Sequence, residues 1–190
     1  MGSRIAERLE VDGLVMARWT PDDVDSLAAL VARNLEHLRP RMAWVASEPL
    51  GHQDRLALLE QWDRDWRAGE AAVFAMILDG QAVGSCGLHP RVGPGGLEIG
   101  YWVDADHQGQ GLASKAADAL TDAAFERDDV AFVVILHDQT NLASRRVPEK
   151  LGYREIGPQP CARDQAPADT GVDVVWRVTR PEWERRRSTA

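Results

Sequence analysis

The sequence predicts an α/β chain of the α+β kind: a mixed, mostly antiparallel sheet of seven strands flanked by about four helices. Three observations carry that expectation. Short apolar stretches of strand length alternate with segments whose apolar residues recur every three or four positions. The pair Asp79-Gly80 is a strong hairpin signal between two apolar stretches. A strand-helix-strand unit over residues 97–136 requires a crossover, and so places a parallel pair in the middle of the sheet.

Residues 13–19 alternate as a first strand. Thr20-Pro21-Asp22-Asp23 then opens a helix, with a capping hydroxyl, Pro at the first helical position and acids in the first turn. That helix carries Val24, Leu27, Leu30 and Val31 on one face. A second helix spans about 53–68, with Leu56, Leu59, Trp62 and Trp66 at helical spacing. Ala71–Leu78 and Gln81–Leu88 form a hairpin about Asp79-Gly80. Gly93-Pro94-Gly95-Gly96 turns the chain into a third strand of this set, Leu97–Val103. Leu112, Ala116, Ala119, Leu120 and Ala123 form a helical stripe over residues 112–126. Val130–Leu136 is almost unbroken apolar, as a strand buried on both faces is. Asn141 opens a short helix that Gly152 ends. Strands near 153–157 and 172–179 follow, joined by a polar, Pro-rich loop at 158–170.

The chain has 190 residues, which suits a single domain over 1–190, with residues 1–11 and 184–190 expected to be frayed ends. Its 22 basic against 30 acidic side chains give a formal net charge of −8. That balance argues against nucleic acid, whose phosphates need a basic surface, and favours a cationic partner such as an amine. Cys86 and Cys161 form no CxxC or Cys/His cluster, so no metal site and no disulfide framework is expected, in keeping with a reducing cytoplasm. The N-terminal stretch lacks the apolar run of a signal peptide, and no segment reaches the roughly 20 apolar residues of a membrane span. His37, His52, His89, His107 and His137 lie at unrelated spacings, and no G-x-S-x-G is present. Most of the seven Trp residues read as packing residues.

The chemistry is expected in Gln108-Gly109-Gln110-Gly111-Leu112-Ala113, between a strand and a helix. Its glycines let the backbone turn tightly and admit a ligand without meeting a Cβ. The helix start presents unpaired N–H groups and the positive end of its dipole, an anion site suited to a pyrophosphate. The competing reading is a plain Gly-rich turn. A P-loop needs GxxxxGK[ST], which Lys115-Ala116 breaks, and a dinucleotide loop needs a third Gly, which Ser114 replaces.

Gln108-x-x-Gly111-x-Ala113 resembles the (Arg/Gln)-x-x-Gly-x-(Gly/Ala) signature of the GNAT superfamily of N-acetyltransferases. Leu97-Glu98-Ile99-Gly100-Tyr101-Trp102-Val103 looks like the strand that precedes it. Asn141 to Tyr153 resembles the downstream Asn-x-x-Ser-x-x-(Val/Leu)-x-Glu-Lys-Leu-Gly-(Phe/Tyr) motif, in the form typical of the subgroup that includes the ribosomal-protein alanine N-acetyltransferases.

The resemblance implies the GNAT fold, with strand 97–103 splaying from strand 130–136. It implies acetyl-CoA as cosubstrate, no metal, an amine acceptor that is a peptide N-terminus or a small molecule, and leaves a homodimer open. The pantetheine arm would pair with backbone near Trp102, Val103 and Asp104, as an added strand does. The amides of Gln108, Gly109, Gln110, Gly111, Leu112 and Ala113 would hold the pyrophosphate, with Ser114 and Arg145 assisting. Glu98 would be the general base; the competing reading is a solvated residue or one paired with an Arg. Asn141 would cap its helix and contact the pantetheine, and Ser144 would protonate the departing thiolate unless it is an ordinary small helix residue. Leu38 and Trp44 would line the acceptor site. The sequence departs from the family at Pro148, where many relatives have an acidic Tyr. Pro148 also lacks the N–H that the Ser144 carbonyl needs in a continuous helix. Tyr153 reads as a buried aromatic rather than a replacement acid. Another donor such as succinyl-CoA, its carboxylate met by Arg39 or Arg41, and a coenzyme-binding sensor without turnover stay as alternatives.

Overall fold

A computed structural model describes residues 4–189. It contains a single eight-stranded sheet and five α-helices. In chain order these are β1 (Arg8–Val11), β2 (Leu14–Arg18), α1 (Val24–Leu38), α2 (His52–Ala68), β3 (Ala72–Leu78), β4 (Gln81–His89), β5 (Gly96–Val103), α3 (Leu112–Phe125), β6 (Phe132–Asp138), α4 (Leu142–Lys150), β7 (Arg154–Pro160), β8 (Val172–Thr179) and α5 (Arg180–Thr189). The strands lie in the order β1-β2-β3-β4-β5-β6-β8-β7. Every neighbouring pair is antiparallel except β5 with β6, which α3 joins as a crossover.

The architecture agrees with the sequence expectation and adds one strand and one helix. The added strand is β1. Asp12 (φ 45°) and Gly13 (φ 81°) form a two-residue turn with both φ values positive, the geometry that a tight hairpin takes. Val11 therefore pairs with Leu14, and Arg8 with Ala17. The added helix is α5, which occupies residues expected to fray. Trp183 anchors it, fully buried with its indole N–H 2.6 Å from Asp122, and Arg187 reaches Asp118 at 2.7 Å. The frayed-end expectation also covers residues 1–3 and 190, which lie outside the described residues.

The sheet separates two cores. Leu97, Ile99, Leu112, Leu120, Ile135, Tyr153 and Trp176 belong to the larger core, on the α3 face, with Tyr101 and Val103 packed against it. Trp19, Leu27, Leu30 and Leu59 form the smaller core on the α1–α2 face, and Trp102 packs against that one. Successive side chains on β5 therefore serve opposite faces, as the period of a strand requires. Tyr153 is buried as expected, its hydroxyl 2.7 Å from Thr121 Oγ1. Of the Trp residues, Trp19, Trp66, Trp176 and Trp183 are buried packing residues. Among the described residues no helix is long and apolar enough to cross a membrane, and no group of His, Cys, Asp or Glu is arranged to hold a metal.

Candidate active site

The expected splay is present. β5 and β6 pair only from Gly96↔Phe132 to Ile99↔Ile135. Beyond Ile99 the β6-facing edge of β5 is unpaired, while its other edge stays bonded to β4 as far as Gly84↔Val103. Trp102 and Val103 line this opening by their position on β5. A segment of unpaired strand backbone is a ready partner for an extended ligand.

The Gly-rich loop follows at once. Gln108, Gly109 and Gln110 are exposed, and Gly109 (φ 73°) and Gly111 (φ 76°) take left-handed conformations with nothing within 4 Å of where a Cβ would stand. Leu112 is buried and anchors the first turn of α3, with Ala113 and Ser114 half-buried beside it. The first main-chain bond of the helix runs from Lys115 N–H to the Gly111 carbonyl at 3.0 Å. Among the described residues, the N–H groups of Gly109 to Ser114 have no partner. An exposed row of free amides at a helix start, with open space above two glycines, fits a pyrophosphate.

α1 holds the start of this loop. The buried Asn34 accepts from Ala105 N–H at 2.9 Å and donates to the Leu30 carbonyl at 2.9 Å. Asp104 is buried and accepts from Arg33 at 2.7 Å and from Asp106 N–H at 3.1 Å. Burial pushes the Asp104 carboxyl up, but the Asp106 amide and Arg33 outweigh it and hold the group below the usual carboxylate range. Gln108 Nε2 lies 2.8 Å from His37 Nε2. The side chains of Asp104 and Gln108 thus serve the loop itself. Asn34 and Arg33 escaped the sequence reading because nothing in an amphipathic helix tells which polar residue will reach a distant loop.

Glu98 lies on the α1–α2 face of β5, opposite His89 across β4. Its side chain is 14% exposed and 3.9 Å from Arg91. Burial raises its carboxyl, Arg91 and Arg163 pull it back, and Asp173 raises it; the outcome is a group above the ordinary Glu value. Gly87 faces Gly100 in the same strand pair, and the His89 imidazole lies beside both, so that a Cβ on Gly87 would stand 3.2 Å from Nε2. Burial, reinforced by Arg91, lowers His89 to about 4 and keeps it neutral at physiological pH. His89, missed by spacing, joins Glu98 only through strand register.

On the other face, Tyr101 Oη stands 2.9 Å from Ser144 Oγ and 3.2 Å from the Ser144 carbonyl. Burial pushes this phenol up to about 12, with the Ser144 bond opposing. Asn141 caps α4 as expected, accepting from Ser144 N–H at 3.1 Å. Arg145 is otherwise engaged: it binds Glu149 and Glu155, each at 2.8 Å, and stacks over Trp176. Two carboxylates with fixed geometry take its guanidinium, so the structure does not bring it to the loop as a free cation.

Leu38 and Trp44, the residues expected at the acceptor site, stand in different settings. Leu38 is buried, while Trp44 leans on Trp102 with ring centroids 6.2 Å apart. A cavity of about 270 Å³ opens beside them, lined by Arg39, Met42, Ala43, Ala46, Gln165, Ala166 and Pro167. The β7–β8 loop thus faces segment 39–46, and Ala168 N–H bonds the Pro40 carbonyl at 2.9 Å. Asp138, at the end of β6, holds the β7–β8 loop to the turn before α4, with Arg41 of the facing segment 3.6 Å away. It accepts from Thr140 at 2.8 and 2.6 Å and from Thr170 at 2.6 and 2.8 Å. Burial raises its carboxyl, but these four bonds overcome it and hold the group far below the usual range.

Residues 14–154 match the family described as acetyltransferase (GNAT) domain. The chain belongs to the GNAT acetyltransferase family. Over 169 residues this GNAT chain is 28% identical to YdaF of Bacillus subtilis (strain 168), covering 86% of the chain and 90% of that protein. It is 26% identical over 155 residues to the ribosomal-protein-serine acetyltransferase of Escherichia coli (strain K12), covering 79% and 81%. Among solved structures, RimL, a ribosomal L7/L12 alpha-N-protein acetyltransferase in complex with coenzyme A, superposes with a TM-score of 0.79 at 20% identity, over 93% of this chain and 98% of that one. At that identity the likeness speaks for the GNAT fold.

Proposed function

We propose that this GNAT chain transfers the acetyl group of acetyl-CoA to the N-terminal α-amine of a protein, with donor and acceptor held together in a ternary complex. The observation that carries the reading is the juxtaposition on β5. Free amides at Gly109–Ser114 adjoin a strand edge that is open beyond Ile99, and Glu98 lies on the opposite face of the same strand. The protein acceptor draws on the relatives, among them the E. coli ribosomal-protein-serine acetyltransferase.

In this reading acetyl-CoA supplies the thioester. The amides of Gly109 to Ala113 hold its pyrophosphate, and the open β5 edge at Trp102–Val103 orients its arm. A backbone N–H near Trp102 or Val103 faces the thioester oxygen, where a fixed donor stabilises the charge that develops in the transition state. The acceptor approaches from the α1–α2 face, between segment 39–46 and the β7–β8 loop. Glu98 removes the ammonium proton, directly or through one water, so that the nitrogen can attack. Positioning both reactants supplies much of the rate without a covalent enzyme intermediate.

The test follows free thiol from acetyl-CoA and succinyl-CoA with peptides bearing free or blocked α-amines and with small amines. Thiol release from acetyl-CoA that requires a free peptide α-amine is the expected result. Coenzyme binding with no release for any pair would reject catalysis, and release with small amines alone would reject the protein acceptor.

A further inference from the structure

Ser144 sits in α4, and α4 runs unbroken from Leu142 to Lys150 with Pro148 inside it. In such a helix the carbonyl of residue 144 takes its hydrogen bond from the N–H of residue 148, and Pro has none. Ser144 is half-buried, and a carbonyl that loses its helical donor there takes a partner from elsewhere. Tyr101 provides it, with its hydroxyl 3.2 Å from the Ser144 carbonyl. The same hydroxyl stands 2.9 Å from Ser144 Oγ.

The location of this contact matters as much as its lengths. Tyr101 is two residues beyond the last β5–β6 pair, Ile99↔Ile135, and Ser144 is on the helix that follows β6. The Tyr101–Ser144 contact therefore joins the two sides of the splay where the sheet has come apart. Among the described residues, neither hydroxyl forms another hydrogen bond.

We propose that Tyr101 is a positioning residue that aims the Ser144 hydroxyl at the sulfur leaving the thioester. The inference rests on the N-acetyl transfer proposed above. Tyr101 has one proton and two acceptors at Ser144. When that proton turns from the carbonyl to Oγ, the serine proton is released from the tyrosine and points into the opening. As the C–S bond breaks, its electron pair stays on sulfur and the serine proton moves to it. The tyrosine proton follows onto Oγ, and the phenol regains a proton from the solvent that receives the one removed from the amine. Pro148 serves this arrangement by leaving the Ser144 carbonyl available to Tyr101.

A purely structural role, in which Tyr101 only fills the carbonyl, is separable by restoring the missing N–H. Wild type, Tyr101→Phe, Tyr101→Phe/Pro148→Ala, Ser144→Ala and Ser144→Ala/Tyr101→Phe are compared for thiol release at saturating acetyl-CoA, coenzyme A affinity by calorimetry, and melting temperature. Tyr101→Phe is expected to lower kcat by roughly 10- to 100-fold, at or below the usual range for loss of a proton-transfer group, with little change in coenzyme affinity. Adding Pro148→Ala should recover melting temperature and leave kcat low. On the Ser144→Ala background the tyrosine change should add nothing, because the two act as a unit.

Recovery of kcat together with melting temperature, or losses that multiply across Ser144→Ala and Tyr101→Phe, would overturn the proposal. If Tyr101→Phe alone does not fold, the variant carrying Pro148→Ala gives the same comparison. A wild type that releases no thiol with any amine sinks the transfer reading and this inference with it. A wild type that turns over while Tyr101→Phe is equally fast sinks this inference alone.

Discussion

Glu98 shows how one residue is tuned by its two neighbourhoods. Burial on β5 penalises its charged form, while Arg91 and Arg163 favour it, and burial prevails. A base acts in its ionised form, so turnover limited by Glu98 rises as pH climbs through its elevated value and levels off above it. Glu98→Gln should remove that acid limb from the pH profile of kcat and lower kcat by roughly 10²- to 10⁴-fold, the usual range for a general base. Coenzyme A binding by calorimetry should be unchanged, since the side chains that support the Gly-rich loop come from α1. Equal turnover by the variant at every pH would withdraw Glu98 from the chemistry. Glu98 could be named from sequence because the motif places it on a strand that lines the opening. Arg163, whose charge acts on it, could not, since it comes from 65 positions away on the β7–β8 loop, where Asp169 and Asp173 hold it.

At the scale of elements, α1 determines how well the coenzyme loop is formed. Asn34 and Arg33 bind the backbone and side chain of residues 104–105, so the loop inherits the rigidity of a 15-residue helix. Asn34→Ala strips the Ala105 N–H and the Leu30 carbonyl of their side-chain partner. It should cost about 1–3 kcal/mol, as loss of one member of a buried hydrogen bond does. A lower denaturation midpoint together with weaker coenzyme A binding is expected; a midpoint loss with full affinity would free the loop from control by α1. The same scale explains the two elements beyond the sequence expectation. β1 is only four residues long, yet its turn, Asp12-Gly13, is the same type of dipeptide as Asp79-Gly80 and was a legible signal. α5 has no apolar stripe to read; Trp183 fixes it by entering the core on the α3 face of the sheet, and Arg180, Arg186 and Arg187 tie it to neighbouring elements.

Across the whole molecule, acid is the condition that should unfold this chain. Asp63, Asp104, Asp129, Asp138 and Glu182 are all held below their ordinary values by hydrogen bonds or ion pairs. A carboxylate with a depressed native value stabilises the fold fully above its unfolded value, about 4, and that stability is lost as pH falls through the native value. Glu98, with a raised value, works in the opposite sense and is outnumbered. The urea midpoint should hold near neutrality and decline steadily below about pH 4. Asp138→Asn should lower the neutral midpoint, because an amide nitrogen cannot accept two of the four bonds from Thr140 and Thr170, and should flatten the decline, because the site no longer titrates. A wild-type midpoint that does not change between neutral pH and strong acid would contradict this account.

The sequence by itself determined the order of the elements from β2 to β8, the parallel pair at β5–β6, the Gly-rich turn that opens α3 and the orphan carbonyl that Pro148 creates. All of these are local: they follow from periodicity, from glycine and proline backbone limits, and from the unpaired ends of a helix. Tertiary structure alone decided which distant side chains complete them. Tyr101 reaches Ser144, Asn34 reaches Ala105, and Arg145 spends its charge on Glu149 and Glu155. Contacts between residues far apart in the chain depend on strand register and helix placement, and those are settled by packing the two faces of the sheet together.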